Sequence, residues 1–198
     1  MPSNFYKHKD YLYSRGGWLL DEETELLYYL ATRAVDPIVE IGSFKGKSTS
    51  CFILGSQDGN NVNVVSIDPY MACDECPELD MDCIKEDCMK NIKSSLAKNE
   101  KARVVHGLIV DYSGNVFNDF DDGSMGLVFI DGAHDYKNVK ADTVNYIPKI
   151  KKGGLVLLHD STNENEFVGV YAVFNELKKD SRLDFIGQVR SISIFMVR

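Results

Sequence analysis

The nine residues EIGSFKGKS, at positions 40–48, connect an apolar run that is typical of a buried strand to a helical pattern. Gly42 and Gly46 lack side chains, so the backbone can approach a bound molecule closely there. The free N–H groups and the positive dipole end of the following helix attract an anion. Ser48 adds a hydroxyl donor in the first helical turn. The stretch therefore predicts a strand–turn–helix unit that binds a ligand.

Further apolar, β-branched runs follow this unit and predict a parallel sheet. The predicted strands cover residues 39–42, 62–68, 102–107, 127–131 and 155–160, and helical patterns cover residues 21–34, 48–54, 86–97, 136–150 and 167–177. Runs that are nearly continuous in Val, Ile, Leu and Phe are typical of strands buried on both faces. Two final runs, 184–189 and 192–197, predict an antiparallel hairpin at a sheet edge. We expect an α/β, doubly wound, Rossmann-like, mostly parallel sheet with helices on both faces and a C-terminal antiparallel hairpin.

The glycine spacing distinguishes between several kinds of ligand loop. A phosphate-binding P-loop has four residues between its first glycine and Gly-Lys-Ser, but three residues separate Gly42 from Gly46. A dinucleotide fingerprint needs a third glycine, which this stretch lacks. A tight turn without a ligand is a further alternative. The pattern Glu-x-Gly-x-x-x-Gly-x-Ser resembles the first motif of S-adenosylmethionine-dependent O-methyltransferases of the catechol and caffeoyl-CoA type.

This resemblance implies a site for S-adenosylmethionine in which the turn cradles the methionine part. The turn residues implied in that contact are Glu40, Gly42, Ser43, Gly46, Lys47 and Ser48. Asp68 ends the second predicted strand, about 20 residues beyond the turn, where a carboxylate accepts hydrogen bonds from ribose hydroxyls. Such a carboxylate would serve NAD equally well, and it could also be a solvated strand end. The resemblance places the adenine near Gly107 and Leu108, after the third predicted strand.

A second motif follows the fourth and fifth predicted strands. The sequence FIDGAHDY occupies residues 129–136, and LHDS occupies residues 158–161. Neighbouring parallel strands end at the same edge of a sheet, so we expect Asp131 and Asp160 to converge there. Two hard carboxylates close together suit Mg²⁺ or a similar divalent cation. Alternatively, Asp131 starts a turn and Asp160 caps a helix.

These residues, with a following proline and Gly-Gly pair, resemble the macrocin and rhamnosyl O-methyltransferase group of class I enzymes over about residues 17–161. The resemblance implies that Asp131 and Asp160 bind the metal, that Asp131 also contacts the cofactor, and that His134 is the general base. Alternatively, His134 is a packed turn residue. The implied reaction is direct methyl transfer from S-adenosylmethionine to a hydroxyl of a sugar or phenol, with the metal lowering the pKa of that hydroxyl.

The chain departs from this group at Ser161, where its members usually carry Asp or Asn. We expect Ser161 to be the third metal ligand, although a hydroxyl is a poorer cation ligand than a carboxylate or amide oxygen. Asn163, Asp135 or water are alternatives for completing the shell. A cofactor-binding module with a degenerate metal site is therefore a second functional hypothesis. A nucleotide-dependent oxidoreductase or hydrolase on a similar sheet is the third.

Cysteines and aromatic residues concentrate in two segments outside these motifs. The acidic loop at residues 71–90 contains Cys73, Cys76, Cys83 and Cys88. We expect reduced thiols there, with a Zn²⁺ site formed by all four as the alternative. The aromatic residues of the N-terminal segment, residues 1–20, are predicted to form a lid over the substrate, a dimer contact or a packed sheet edge.

Composition restricts the remaining possibilities. The 198 residues, 44% of them hydrophobic, suit one domain at residues 1–198. The net charge of −8 argues against a nucleic-acid partner. No apolar run approaches the roughly 20 residues that span a bilayer, and the polar N-terminus does not resemble a secretory signal. We expect a cytoplasmic protein that acts on a small molecule without nucleic-acid or membrane partners, and a homodimer is possible.

Overall fold

The computed structural model describes residues 4–71, 77–99 and 101–198. Its strands are β1 (Ile38–Ile41), β2 (Val64–Ile67), β3 (His106–Ile109), β4 (Met125–Ile130), β5 (Ile150–Leu158), β6 (Leu183–Val189) and β7 (Ile192–Val197). Its helices are α1 (Phe5–Tyr13), α2 (Asp21–Arg33), α3 (Lys47–Asp58), α4 (Met81–Leu96), α5 (Ser113–Val116), α6 (Tyr136–Tyr146) and α7 (Val168–Leu177). Within these described ranges, no helix is both long and apolar enough to cross a membrane.

The strands form one seven-stranded sheet in the order β3-β2-β1-β4-β5-β7-β6. Strands β1 to β5 pair in parallel, and β7 pairs antiparallel with both β5 and β6. The predicted fold class is therefore confirmed, including the terminal hairpin. The hairpin places β6 at the edge and β7 inside the sheet. Because the parallel strands end together, the turn that begins at Gly42 lies beside the ends of β4 and β5.

Strand β1 separates two apolar cores and carries one carboxylate. All four of its residues are buried. Ile38 contributes to the core under α2 and α3, and Val39 and Ile41 contribute to the core under α6 and α7. Successive side chains in a strand point to opposite faces, so Glu40 shares the face of Ile38 and lies under α3. An ionisable carboxyl group is thus buried beneath helix α3.

The N-terminal aromatic segment begins as helix α1, which sequence periodicity did not predict. Phe5 and Leu12 are buried, and the Phe5 ring lies edge-to-face against Tyr28 of α2 with the ring centroids 5.3 Å apart. Helix α1 thus packs on a neighbouring helix rather than on the sheet edge, and the lid over the substrate and the dimer contact stay predictions. Trp18, farther along, is exposed and stacks on Phe44 of the glycine turn.

Several predicted boundaries were wrong, such as the start of β5, which lies at Ile150 rather than at residue 155. At two of them, side chains compete for backbone hydrogen bonds. Helix α4 begins at Met81 rather than at residue 86, because Asp80 caps it by accepting a hydrogen bond from Cys83 N. Strand β3 begins at residue 106 rather than at 102. The N–H groups of Arg103 and Val105 donate to the side chains of Asn61 and Asn63, in the loop between α3 and β2, instead of to a neighbouring strand.

The cysteine segment is described only in part, because Cys73 and Cys76 lie outside the described residues. Cys83 is exposed and Cys88 is buried, five positions apart and therefore on different sides of α4. Burial raises the pKa of the Cys88 thiol to about 12. Zinc binds the thiolate form, so the two described cysteines favour reduced thiols over a zinc site.

Candidate active site

The glycine turn is packed against the end of β4. Gly42 has a φ of 88°, and a Cβ atom there would lie 2.0 Å from the backbone oxygen of Asp131. Gly46 has a φ of 76°, in the left-handed region that favours glycine, and its ideal Cβ position is 3.0 Å from Cys88 Sγ. The glycines were predicted to let a ligand approach. In the structure, the missing side chains also let the turn pack closely against Asp131 and Cys88.

Asp68 closes the turn from the neighbouring strand. Its Oδ2 accepts hydrogen bonds from the backbone N–H groups of Ser43 and Phe44, both at 2.9 Å. Its Oδ1 accepts one from Tyr70 N at 2.8 Å. A carboxylate has about four acceptor positions, so Asp68 keeps capacity for a hydroxyl donor. The predicted ribose contact is compatible with this geometry but is not tested by it.

The side chain of Glu40 is buried beneath helix α3. Its Oε2 accepts hydrogen bonds from Thr49 Oγ1 at 2.5 Å and from Ser66 Oγ at 2.6 Å. Its Oε1 is buried and accepts no hydrogen bond from any described residue. Burial raises the pKa of Glu40 to about 7. A buried acceptor without a partner is costly, and it is the kind of atom that a ligand with an N–H donor satisfies.

Of the remaining predicted cofactor residues, Lys47 and Ser48 lie at the start of α3, whereas Gly107 and Leu108 lie within β3 and not in a turn after it, because this strand continues to Ile109. Ser48 is buried in the first turn of α3. The Lys47 Nζ donates to the backbone oxygen of Leu19 at 2.8 Å, so its side chain holds the segment that precedes α2. Gly107 has open space where a Cβ would be, with no described atom within 4 Å. Leu108 is half-buried and packs against the core under α2 and α3.

Asp131, His134 and Asp160 converge at the ends of β4 and β5. One ligand atom from each lies within 4.8 Å of the others, which is a geometry that suits a metal ion. His134 Nε2 is 3.3 Å from Asp160 Oδ2, and the His134 ring packs on Phe167 with centroids 4.6 Å apart. Burial raises the pKa of Asp131. Burial also acts to raise the pKa of Asp160, but contacts with His134 and His159 outweigh it and hold that pKa well below its usual range.

His159 belongs to this cluster, although sequence reasoning gave it no role. Its Nδ1 lies 2.8 Å from Asp131 Oδ1 and 3.0 Å from Asp160 Oδ2, and its Nε2 lies 3.5 Å from Glu23 Oε2. Nδ1 is aligned with neither oxygen, so the attraction is an ion pair shared between two carboxylates. Burial lowers the pKa of His159, but the three carboxylates, Asp131 first, raise it to about 12. The signal in the sequence was the His-Asp pair at the end of β5.

The structure does not bring Ser161 to the carboxylates, and the interpretation of this residue as a metal ligand is corrected. Its hydroxyl donates to Ser191 O at 2.9 Å and lies 2.7 Å from Ser193 Oγ, so it faces β7. Two alternative ligands are also engaged locally. Asn163 Oδ1 accepts backbone hydrogen bonds within its own loop, and Asp135 caps α6. Among the described residues, the groups that could hold a cation are therefore those of Asp131, His134 and Asp160.

The chain resembles one protein family and several solved structures. Residues 39–161 match the protein family described as "Methyltransferase domain". Three solved structures of low sequence identity share its fold. Methyltransferase PaMTH1 of Podospora anserina, solved with SAH, is 14% identical, covers 100% of this chain and 89% of its own, and has a TM-score of 0.69.

Two further structures are O-methyltransferases. TomG from Streptomyces achromogenes, involved in tomaymycin synthesis and solved with SAM, is 15% identical over 100% of this chain and 90% of its own, with a TM-score of 0.63. An O-methyltransferase from Bacillus cereus, solved with SAH, is 18% identical over 98% of this chain and 88% of its own, with a TM-score of 0.60.

One curated relative shares a shorter stretch. The uncharacterized protein y4gI of Sinorhizobium fredii (strain NBRC 101917 / NGR234) is 40% identical over 60 residues, which are 30% of this chain and 7% of that protein. The chain therefore matches a small part of the length of this relative.

The contact at Gly42 predicts a sharp difference between two glycines. Gly42→Ala should lower the free energy of unfolding by about 1–3 kcal/mol, because the new methyl group meets backbone that cannot rotate away. Gly107→Ala should change it by no more than about 0.5 kcal/mol, because its surroundings are open. Urea denaturation of both variants measures the difference. Equal losses would contradict the packing described for the turn.

The buried carboxylate of Glu40 predicts a pH dependence of stability. Its folded-state pKa of about 7 lies above the ordinary 4.5, so the folded protein holds this proton more tightly than the unfolded chain. The contribution is complete at low pH and is lost as pH rises through about 7, by up to about 3 kcal/mol. Glu40→Gln should flatten this decline in urea denaturation, and Glu78→Gln, at an exposed position, should retain it. A decline that persists unchanged in Glu40→Gln would count against the assignment.

Proposed function

The chain belongs to the methyltransferase domain family, and we propose that it transfers a methyl group from S-adenosylmethionine to a hydroxyl of a small molecule with the help of a divalent cation. The sequence resemblance to class I methyltransferases is confirmed by the family match and the fold. The observation that carries the proposal is the contact of the glycine turn with the backbone at Asp131. It fixes the turn beside the cluster of Asp131, His134 and Asp160, so a molecule held by the turn is next to that cluster.

The chain offers polar groups that match the polar parts of S-adenosylmethionine. The buried Oε1 of Glu40, which no described residue satisfies, suits an ammonium group such as that of the methionine part. The N-terminus of α3 suits a carboxylate. Asp68 retains acceptor capacity for ribose hydroxyls after closing the turn. The cofactor supplies an electrophilic methyl group whose transfer breaks a carbon–sulfur bond.

The donor set of the cluster suits a hard divalent cation. Asp131 and Asp160 supply the carboxylate oxygens for such an ion, and His134 lies beside them as the proposed base. Such a cation would lower the pKa of a hydroxyl bound to it. Mg²⁺ is our first candidate because both carboxylates are hard oxygen ligands.

The side chains around the cluster have separate roles toward the acceptor hydroxyl. His134 takes the proton of the acceptor hydroxyl on its imidazole ring while the oxygen forms its bond to the methyl carbon. Asp160 lies 3.3 Å from His134 Nε2 and stabilises the protonated ring. Phe167 packs on the same ring and restricts its rotation. The acceptor itself is proposed only as a sugar or phenol hydroxyl, by the sequence resemblance.

One observation favours a second candidate, a cofactor-binding module without metal-dependent turnover. The His159 ring already lies against both Asp131 and Asp160, the carboxylates that a cation would need. The two candidates share S-adenosylmethionine binding and differ in methyl transfer. Turnover that stops on chelation and returns with Mg²⁺ supports the first, and binding without any turnover supports the second.

Cofactor binding is predicted to change the fluorescence of the single tryptophan. Trp18 stacks on Phe44 of the glycine turn, with ring centroids 4.5 Å apart, so a ligand at the turn alters its surroundings. Titration with S-adenosylmethionine should give a saturable change in emission, and NAD and ATP should give none. Calorimetry on Trp18→Phe, which has no tryptophan, is the control for binding itself. Heat from NAD or ATP but not from S-adenosylmethionine would overturn the proposed cofactor.

The proposed base predicts a loss of turnover without a loss of cofactor binding. His134→Ala should reduce kcat by about 10²–10⁴-fold, the usual contribution of general acid–base catalysis. Its affinity for S-adenosylmethionine should stay near that of the unmodified protein. His8→Ala is the control, because His8 pairs with Asp58 on the helical layer. Full turnover in His134→Ala, measured with a confirmed acceptor, would show that another group takes the proton.

A further inference from the structure

Glu23 on α2 is a buried carboxylate with an unusual number of partners, and the mechanism above does not use it. It is 1% exposed. Its Oε1 accepts hydrogen bonds from Ser191 N at 2.9 Å and Ser191 Oγ at 2.7 Å, and its Oε2 accepts one from Leu20 N at 2.8 Å. The same Oε2 lies 3.5 Å from His159 Nε2. Four contacts from three parts of the chain therefore fix this carboxylate in place.

The His159 ring connects Glu23 to the carboxylates of the active site. One ring nitrogen faces Glu23, and the other lies within 3.0 Å of both Asp131 and Asp160. The ring also lies edge-to-face against Phe129, with centroids 6.0 Å apart. A ring held at one nitrogen by a rigid carboxylate presents its other nitrogen at a defined point. Both aspartates therefore contact the same ring nitrogen, and the position of the ring limits where their carboxylates can lie.

We propose that Glu23, acting through His159, is a positioning residue that fixes the orientation of the Asp131 and Asp160 carboxylates. The inference rests on the proposed function for its effect on methyl transfer. Residues of this kind, one step removed from the reacting groups, typically contribute roughly ten- to hundredfold to activity or metal affinity. Glu23 acts from a helix outside the motifs that supply the other site residues.

The same carboxylate also anchors the segment that lies over the glycine turn. Leu20 N donates to Glu23, and the neighbouring Leu19 O accepts from Lys47 at the start of α3. Residues 16–20 are thus held at both the turn and the cluster. Through these contacts, Glu23 connects the position of the two aspartates to the position of the glycine turn.

The test compares two adjacent glutamates of the same helical turn. Glu23→Gln keeps the size and the acceptor oxygen but removes the charge that faces His159. Glu22→Gln is the matched control, because Glu22 is exposed and pairs with Arg190 at the surface. We expect Glu23→Gln to reduce kcat roughly ten- to hundredfold with little change in the KM for S-adenosylmethionine. Glu22→Gln should leave both constants unchanged, and thermal unfolding of both variants reports whether they fold.

A double-mutant cycle distinguishes positioning through His159 from a general structural role. If Glu23 acts through the ring, Glu23→Gln combined with His159→Gln should be no slower than His159→Gln alone. Multiplicative losses, or a Glu23→Gln variant that matches Glu22→Gln, would overturn the proposal. If Glu23→Gln does not fold, Glu23→Asp, which keeps the charge but shortens the reach, enters the same cycle with the same expected result.

Crystal structures of the two single glutamate variants supply a readout without turnover. In Glu23→Gln, the His159 ring and the Asp131 and Asp160 carboxylates should be displaced or disordered, and in Glu22→Gln they should match the unmodified protein. An undisturbed cluster in Glu23→Gln would refute the positioning role. Failure of the unmodified protein to bind S-adenosylmethionine would instead refute the proposed function, and the crystallographic comparison would still decide the role of Glu23.

Discussion

The direct backbone contact between the glycine turn and the end of β4 determines the relation of the two halves of the site. A side chain at position 42 would occupy the same space as the backbone oxygen of Asp131. The turn consequently cannot shift without the end of β4. The turn follows β1, and β1 is paired with β4 in the sheet. Sites built on rigid elements hold their groups more precisely than sites on loops. Precise placement of two reactants is itself a large part of catalysis.

Charge balance is the second feature that organises the site. Three carboxylates, Glu23, Asp131 and Asp160, surround the buried ring of His159. Removing such charges from water costs several kcal/mol for each ion unless partners compensate. Burial opposes ionisation of these groups, and their mutual contacts restore it for Asp160 and His159. The cluster is best understood as one electrostatic unit whose members depend on one another.

The sequence predicted the fold well because buried parallel strands leave continuous apolar runs. Five such runs correspond to the five parallel strands of the sheet. It also predicted that Asp131 and Asp160 converge, since residues at strand ends share an edge, and the family resemblance placed His134 beside them. It missed the Glu23–His159 pair, whose members are 136 positions apart in the chain. Periodicity indicates which face of a helix is buried, but not which polar partner meets it across the core.

The prediction for Ser161 failed for a local reason. Asp160 has a φ of 52°, in the left-handed region that non-glycine residues rarely adopt. The chain changes direction there, so the next side chain faces β7 instead of continuing towards the carboxylates. No pattern in the sequence marks this residue as left-handed. The strain is concentrated within the cluster of carboxylates and histidines, and backbone strain of this kind is common at functional sites.

The position of β7 inside the sheet has a consequence for how the protein is made. This strand is the last of the described elements, yet it lies between β5 and β6 and supplies Ser193 beside Ser161. The turn before it supplies Ser191 to Glu23. On the ribosome, where domains fold as the chain emerges, the earlier strands can assemble while β5 still has an open edge. Glu23 gains its two hydrogen bonds from Ser191 only when the hairpin of β6 and β7 joins that edge, so the contacts of the cluster are completed later than the strands that carry it.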